Sequence, residues 1–180
     1  MAIHARYKIP RFWDIEYKTL SYETEEFNDP ESLRVWQHQG YTGPFTGAMC
    51  DMRSPQPTWN DKFIKIYEEM GWKDIGTSYY RMDTGTVLPT HSDLYKRYIE
   101  LHKLQGKEDR IRRAVVFLED WKAGHYSEIN GTGMVNWDAG TVIEWDYDTP
   151  HAAANIGIEP RYTLQITGWV WYQVGMNTIR

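Results

Sequence analysis

The sequence predicts a mainly β fold with flanking helices, of the sandwich or jelly-roll class. Three observations predict it: short β-rich runs punctuated by Gly, Pro, Asp and Asn from Gly76 onward, two helical segments ahead of them, and one helical insertion that interrupts them. In the first segment, "NDPESLRVWQHQG", Asp29 is placed to cap a helix, Pro30 to occupy its first turn and Gly40 to follow its end. In the second, "TWNDKFIKIYEEMGW", Trp59, Phe63, Ile66, Tyr67 and Met70 fall on one helical stripe, with Thr58 as a cap and Gly71 as a stop. That stripe reads as scaffold. The strand candidates are "TSYYRM", "TVLPTHSD", "RRAVVFLE", "GMVNW", "GTVIEW", "HAAANI" and "RYTLQITGWVWYQV". The insertion "DLYKRYIELHKLQ", within about residues 94–110, puts Leu94, Tyr98 and Leu101 on one face and is placed to cover the mouth of whatever the preceding strand forms.

No internal repeat, low-complexity tract or long linker divides the chain. Residues 1–180 therefore read as one domain, with a helical and irregular scaffold over 1–75 and a β core over 76–175. The composition is that of an ordered globular protein, 41% hydrophobic and 25% charged, with nine Trp and thirteen Tyr. A mean hydropathy of -0.66 and the lack of a long apolar run argue against a membrane protein. A formal charge of -5 supplies no general basic field for a nucleic-acid backbone. Cys50 is the single cysteine, so no intrachain disulfide can form, and the opening "MAIHARYKIPRFWDIEY" lacks the apolar stretch of a signal peptide. A reducing, cytoplasmic setting is the expectation.

The chemistry centres on "VLPTHSDLY". On a strand, side chains two apart share a face, so His91 and Asp93 project together with Ser92 turned away. Of the other histidines, His151 has the fitting context, opening the run that follows "GTVIEWDYDTP". Two imidazoles and one carboxylate on one face of a metal form the facial triad of non-haem Fe(II) oxygenases, which leaves positions open for substrate and oxygen. By itself H-x-D is a common chance pattern, a surface His beside a capping Asp. The run "RYTLQITGW" adds weight: Arg161, Thr163, Gln165 and Thr167 alternate with Tyr162, Leu164 and Ile166. Its polar face either meets water or lines a lumen that holds a charged ligand. In the second case Arg161 offers a planar fork to a carboxylate, which Lys would not.

The order His91-Ser92-Asp93, then His151, then Arg161-Tyr162-Thr163, resembles the Fe(II)- and 2-oxoglutarate-dependent dioxygenases over roughly Gly76 to Trp171. The stretch "RIRRAVVFLEDWKAGHYSEINGTGMVNWDAGTVIEWDYDTPHAAANIG" is also similar to compact members of that superfamily, including ones carried by bacterial viruses. The resemblance implies a double-stranded β-helix, a cupin-like jelly roll. It implies that His91, Asp93 and His151 ligate Fe(II) and serve catalysis, and that Arg161 with Thr163 holds the distal carboxylate of 2-oxoglutarate. O2 would then be consumed, succinate and CO2 released, and a C–H bond of a small molecule, amino acid or peptide side chain hydroxylated. Family members often add a tyrosine upstream of H-x-D. "TSYYRMD" offers Tyr79, Tyr80 and Arg81; Tyr79 is taken as the cofactor contact, and Arg81, two positions on, then becomes a candidate for an acidic substrate.

Arg112 and Arg113 are ambiguous between site and solvated strand end. His125 reads as a loop or substrate-side residue, His102 as a helix-surface residue, and the tryptophans as packing groups. Two other classes stay open at this point: a cupin-type metalloenzyme that does not use 2-oxoglutarate, whose H-x-H signature Asp93 departs from, and a non-catalytic jelly-roll module for glycans. The substrate-recognising parts fall in the N-terminal region, the insertion and the "WKAGHYSEINGTG" loop, where no motif names the substrate.

Overall fold

The structure, a computed structural model, describes residues 4–171. Among the described residues eleven strands form two antiparallel sheets. They are β1 (His4–Lys8), β2 (Glu23–Glu26), β3 (Thr46–Asp51), β4 (Lys73–Met82), β5 (Thr86–His91), β6 (Ile111–Phe117), β7 (His125–Ile129), β8 (Thr132–Met134), β9 (Thr141–Asp146), β10 (His151–Asn155) and β11 (Arg161–Trp169). The larger sheet has the order β1-β9-β6-β11-β4-β3-β2 and the smaller β5-β10-β7-β8. Three helices flank them: α1 (Pro30–His38), α2 (Asn60–Glu69) and α3 (Lys96–His102).

The large sheet has two different faces because β11 alternates. Leu164 and Ile166, with Tyr162 beside them, pack outward into a core built with Trp13, Tyr17, Phe63 and Tyr67. Burying each such large side chain contributes about 1.5–3 kcal/mol, so α2 and the segment after β1 are held firmly on that face. On the opposite face the large sheet meets the small one around Phe117, Ile129, Trp137, Ile143 and Trp145. The polar set of β11 points to this inner side.

α1 forms as its sequence dictates. Asp29 Oδ2 accepts from Ser32 N at 3.0 Å, Pro30 opens the helix, and Gly40 follows it with φ +90°. The expected cap of α2 is corrected. Thr58 is engaged by the Glu16 carboxylate through both its N–H and its hydroxyl, and Trp59 takes the N-cap position, anchored by its indole N–H on Asp14. Trp59, Phe63 and Tyr67 are buried as expected, but Met70 is 49% exposed at the C-cap position.

The buried face of α3 also differs from expectation. The helix starts only at Lys96, after Tyr95 in the left-handed region at φ +48°. This entry rotates the helix, so Ile99, with Leu104 beyond it, enters the core while Leu94 and Leu101 are exposed. Four strands, β1, β2, β3 and β7, lie where no strand was expected. β1 to β3 fall in the first 75 residues, where scaffold was read as helical and irregular. β2 is a solvent-exposed edge, "ETEE", with no apolar alternation to betray it. β7 hides for the opposite reason. Its inward residues include His125 and Ser127, so the burial alternates while the hydrophobicity does not. The last run was expected to extend through Val174; β11 ends at Trp169, and Tyr172 to Val174, like the end of the core at 175, lie outside the described residues. No helix among the described residues is long and apolar enough to cross a membrane.

Candidate metal centre

β5 and β10 are neighbours in the small sheet, and His91 pairs directly with His151 at its open end. Their ring centroids are 4.4 Å apart. β5 stops at His91, so the strand geometry expected for Asp93 does not apply to it; the chain turns out of the sheet, Ser92 Oγ donates to Asp148 O, and Asp93 returns to the same side. The ligand atoms of His91, Asp93 and His151 all lie within 4.8 Å of one another, with His151 Nε2 3.9 Å from Asp93 Oδ2. Among the described residues this is the one cluster of three or more such groups able to hold a metal ion.

The donor set fits a divalent metal. His91 Nδ1 lies 2.8 Å from Pro89 O, and His151 Nδ1 lies 3.0 Å from Thr149 O. A carbonyl oxygen only accepts, so each Nδ1 carries a proton, and in the neutral ring that leaves the Nε2 lone pair to a metal. Aromatic rings then fix the imidazoles in place. Phe27 and Trp36 set their edges against His91 at 4.9 and 5.7 Å, and Trp145 lies 5.0 Å from His151. Trp36 is itself tied down by donating to Thr90 O at 2.9 Å, which is how α1 supports the centre.

Electrostatics hold Asp93 and His151 in metal-binding form. Burial favours the neutral acid at Asp93, yet Arg113, the two imidazoles and the Tyr95 hydroxyl outweigh it and keep the carboxyl at about 2. Burial lowers His151 to about 4 against the pull of Asp93, so it is neutral at physiological pH. The Arg113 guanidinium donates to Asp93 Oδ2 at 3.1 Å, to Gln165 Oε1 at 3.0 Å and to the Tyr95 hydroxyl at 3.4 Å. Arg113 is thus the site residue that the sequence left ambiguous. Arg112, one position away, faces the other side and pairs with Asp146 at 2.8 Å.

The triad opens into a cavity of about 270 Å³ between the sheets, and Arg161 and Thr163 line it too. Arg161 is 7% exposed. Its Nη1 donates to Tyr126 O at 2.6 Å and Ser127 Oγ at 3.1 Å, whereas Nε is buried without a partner. Burial lowers its pKa to about 10, with Tyr80 opposing, so the group stays charged at neutral pH. Among the described residues no carboxylate pairs with it. A buried charge in that condition is costly until an anion joins it.

Tyr79 is not a cavity residue, and that expectation is corrected. It is fully buried on the opposite face of β4, where its hydroxyl donates to Asn60 Oδ1 at 2.8 Å and its ring packs on Trp59. Register decides the point. Thr163 of β11 pairs with Tyr80, and adjacent paired residues share a face, so Tyr80 lines the cavity with Thr163. Arg81 consequently shares Tyr79's outward parity, and its guanidinium lies over the Tyr22 ring beside Asp83. Burial, with Asp93 and Glu25 nearby, pushes the Tyr80 phenol up to about 12, leaving it a hydrogen-bond donor. His125 is likewise a structural residue of β7, buried and bonded through Nε2 to Glu159 O at 3.0 Å. His102 lies on α3 as read, 3.6 Å from Asp74.

Tyr80 keeps its place because β3 passes it with a glycine. A Cβ on Gly47 would land on the Tyr80 hydroxyl and ring. Gly47→Ala is therefore expected to destabilise the protein by about 1–3 kcal/mol through overpacking. Pairing it with Tyr80→Ala should recover most of that loss in a double-mutant cycle followed by thermal unfolding. Additive losses would mean that the two residues do not collide.

Neither a family model nor a curated protein matches the chain. Solved structures do. A prolyl-4-hydroxylase of Pseudomonas putida superposes with a TM-score of 0.53 at 15% identity, covering 86% of this chain and 95% of that one. An oxidoreductase of the 2OG-Fe(II) oxygenase family from Burkholderia pseudomallei gives 0.52 at 13% identity, covering 85% and 75%. At these identities the likeness is one of fold, and it defines the class: the chain is a double-stranded β-helix protein, with the His-Asp-His cluster at one end of its inter-sheet cavity.

Proposed function

We propose that the protein is an Fe(II)- and 2-oxoglutarate-dependent dioxygenase that hydroxylates a C–H bond of a small molecule, amino acid or peptide side chain. The observation that carries this reading is the buried Arg161 guanidinium, without a carboxylate partner among the described residues, in the same cavity as His91, Asp93 and His151. A metal site alone fits many cupin-like enzymes. A metal site with a buried cation waiting for an anion fits a co-substrate that carries a carboxylate at each end.

The geometry supports a set of residue roles. The two Nε2 atoms and the Asp93 carboxylate would hold the metal, and Arg161 and Thr163 would take the distal carboxylate of 2-oxoglutarate, with Tyr80 as a further donor. Arg113 fixes the free rotation of Asp93. The apolar walls formed by Leu88, Ile129 and Ile143 exclude water, which strengthens each of these charge contacts. Bound Fe(II) supplies the coupling of O2 reduction to decarboxylation of 2-oxoglutarate, giving succinate, CO2 and a hydroxylated product from one substrate C–H.

Anaerobic titration of the apo-protein with Fe(II), then 2-oxoglutarate, tests the proposal by the visible charge-transfer band of the chelate. The expected result is a band that saturates at one equivalent of each. Iron binding with no band would move the assignment to a cupin-type metalloenzyme without 2-oxoglutarate. Absence of iron binding would leave a jelly-roll binding module.

A further inference from the structure

Resting on that reading of the cavity, we infer that the prime substrate carries a carboxylate, and that Arg113 binds it where the cavity opens into a groove beside α3. Charge leads there first. The cavity walls hold two guanidinium groups, Arg113 and Arg161, against one carboxylate, Asp93, so with both imidazoles serving a metal as neutral ligands the lining carries one net positive charge. A divalent metal and a dianionic co-substrate cancel each other and leave that charge in place. In a cavity with low-dielectric walls an uncompensated charge is unfavourable, and a monoanionic substrate group balances it.

Position assigns the charge to Arg113. Arg161 lines the inner cavity alone, whereas Arg113 borders both the cavity and an outer groove of about 600 Å³. Its bonds to Asp93, Gln165 and Tyr95 use one N–H on each nitrogen. One N–H then remains on each terminal nitrogen, available to an anionic acceptor. The groove itself is cationic although the chain carries a net charge of -5. Arg53, Lys96, Arg97 and Arg113 line it against Glu25 and Asp51. Both of those acids are paired with Arg53, at 3.5 and 2.6 Å, while Lys96 and Arg97 make no ion pair among the described residues. An anion approaching along α3 therefore meets an attractive field that ends at Arg113 beside the metal centre.

The test uses the full chain loaded with Mn(II) and saturating 2-oxoglutarate, without oxygen, and reads thermal unfolding with benzoate or benzamide at constant ionic strength. At about 50 mM benzoate, a site with a Kd of about 1 mM is expected to raise the melting temperature by about 5 °C or more, and benzamide by less than about 1 °C. Arg113→Gln should abolish the benzoate shift. Lys96→Glu/Arg97→Glu, which changes two groove residues outside the ligand set, should cut it by at least about half by reversing the groove field. Equal shifts from the two probes, or none from benzoate, would overturn the inference. A larger shift from phenyl phosphate would overturn the carboxylate assignment in favour of a phosphate. A benzoate shift that disappears when 2-oxoglutarate is added would place the anion on Arg161 and remove Arg113 from the role. Failure of the underlying co-substrate reading shows separately, as the missing Fe(II)–2-oxoglutarate band, while the Arg113→Gln and groove variants still report whether benzoate sits at Arg113.

Discussion

Replacing Asp93 with alanine is expected to lower Fe(II) affinity by more than about 100-fold and to abolish 2-oxoglutarate turnover, since even changes to residues that only support metal ligands cost about 10–100-fold. The change removes the single carboxylate of the cluster and leaves two neutral imidazoles, which retain a divalent ion poorly. It also strips the Arg113 guanidinium of its charged partner at 3.1 Å. Because the Asp93 side chain is 28% exposed, screening keeps the resulting loss of fold stability below the 3–5 kcal/mol typical of a fully buried broken pair. Asp93→Asn separates the two effects, as the amide still accepts from Arg113 but supplies no anionic ligand. Equilibrium Fe(II) titration and thermal unfolding of both variants should show lost metal binding in each and near wild-type stability in the asparagine form. Metal affinity retained in Asp93→Asn would exclude the carboxylate from the coordination set.

Arg161→Met is expected to raise the Kd for 2-oxoglutarate by at least about 100-fold, as two charge-assisted hydrogen bonds worth about 1.5–3 kcal/mol each give way to an apolar side chain. Iron affinity should stay within about two-fold, because Arg161 stands on β11 and the metal-binding atoms on β5, β10 and the turn after β5. Arg161→Lys should recover only part of the affinity, since an ammonium cannot keep Tyr126 O and Ser127 Oγ satisfied while presenting a planar fork. Titration of each variant with Fe(II), then of its Fe(II)-loaded form with 2-oxoglutarate followed by the charge-transfer band, reads all three quantities. An unchanged Kd in Arg161→Met would move the anion-binding role elsewhere in the cavity.

Much of this site was legible in one dimension. The alternation of β11 placed Arg161, Thr163 and Gln165 on one face and Leu164 and Ile166 on the other, and the structure has them on the cavity and core sides respectively. Such a pattern is local. It records which side of a single strand meets water-like or apolar surroundings, and it survives without knowledge of the neighbours. The cap of α1 is legible for the same reason, as Asp29 and Ser32 interact within one turn.

Tyr79 against Tyr80, and Arg112 against Arg113, were not legible. In each pair adjacent residues of the same type or near it occupy opposite faces, and only the register of β4 and β6 against β11 decides which one enters the cavity. The strands β2 and β7 escaped notice because one is an exposed acidic edge and the other turns His125 and Ser127 inward. The sequence by itself determined the chemistry available: a carboxylate two residues from an imidazole, a distant second imidazole, and an arginine on a polar strand face. Tertiary structure alone decided which tyrosine and which arginine join them, and that the cavity carries one guanidinium more than its carboxylate balances. The physical reason is that side-chain parity is a property of one strand, whereas register is a property of two, set by how the faces of the sheets pack together.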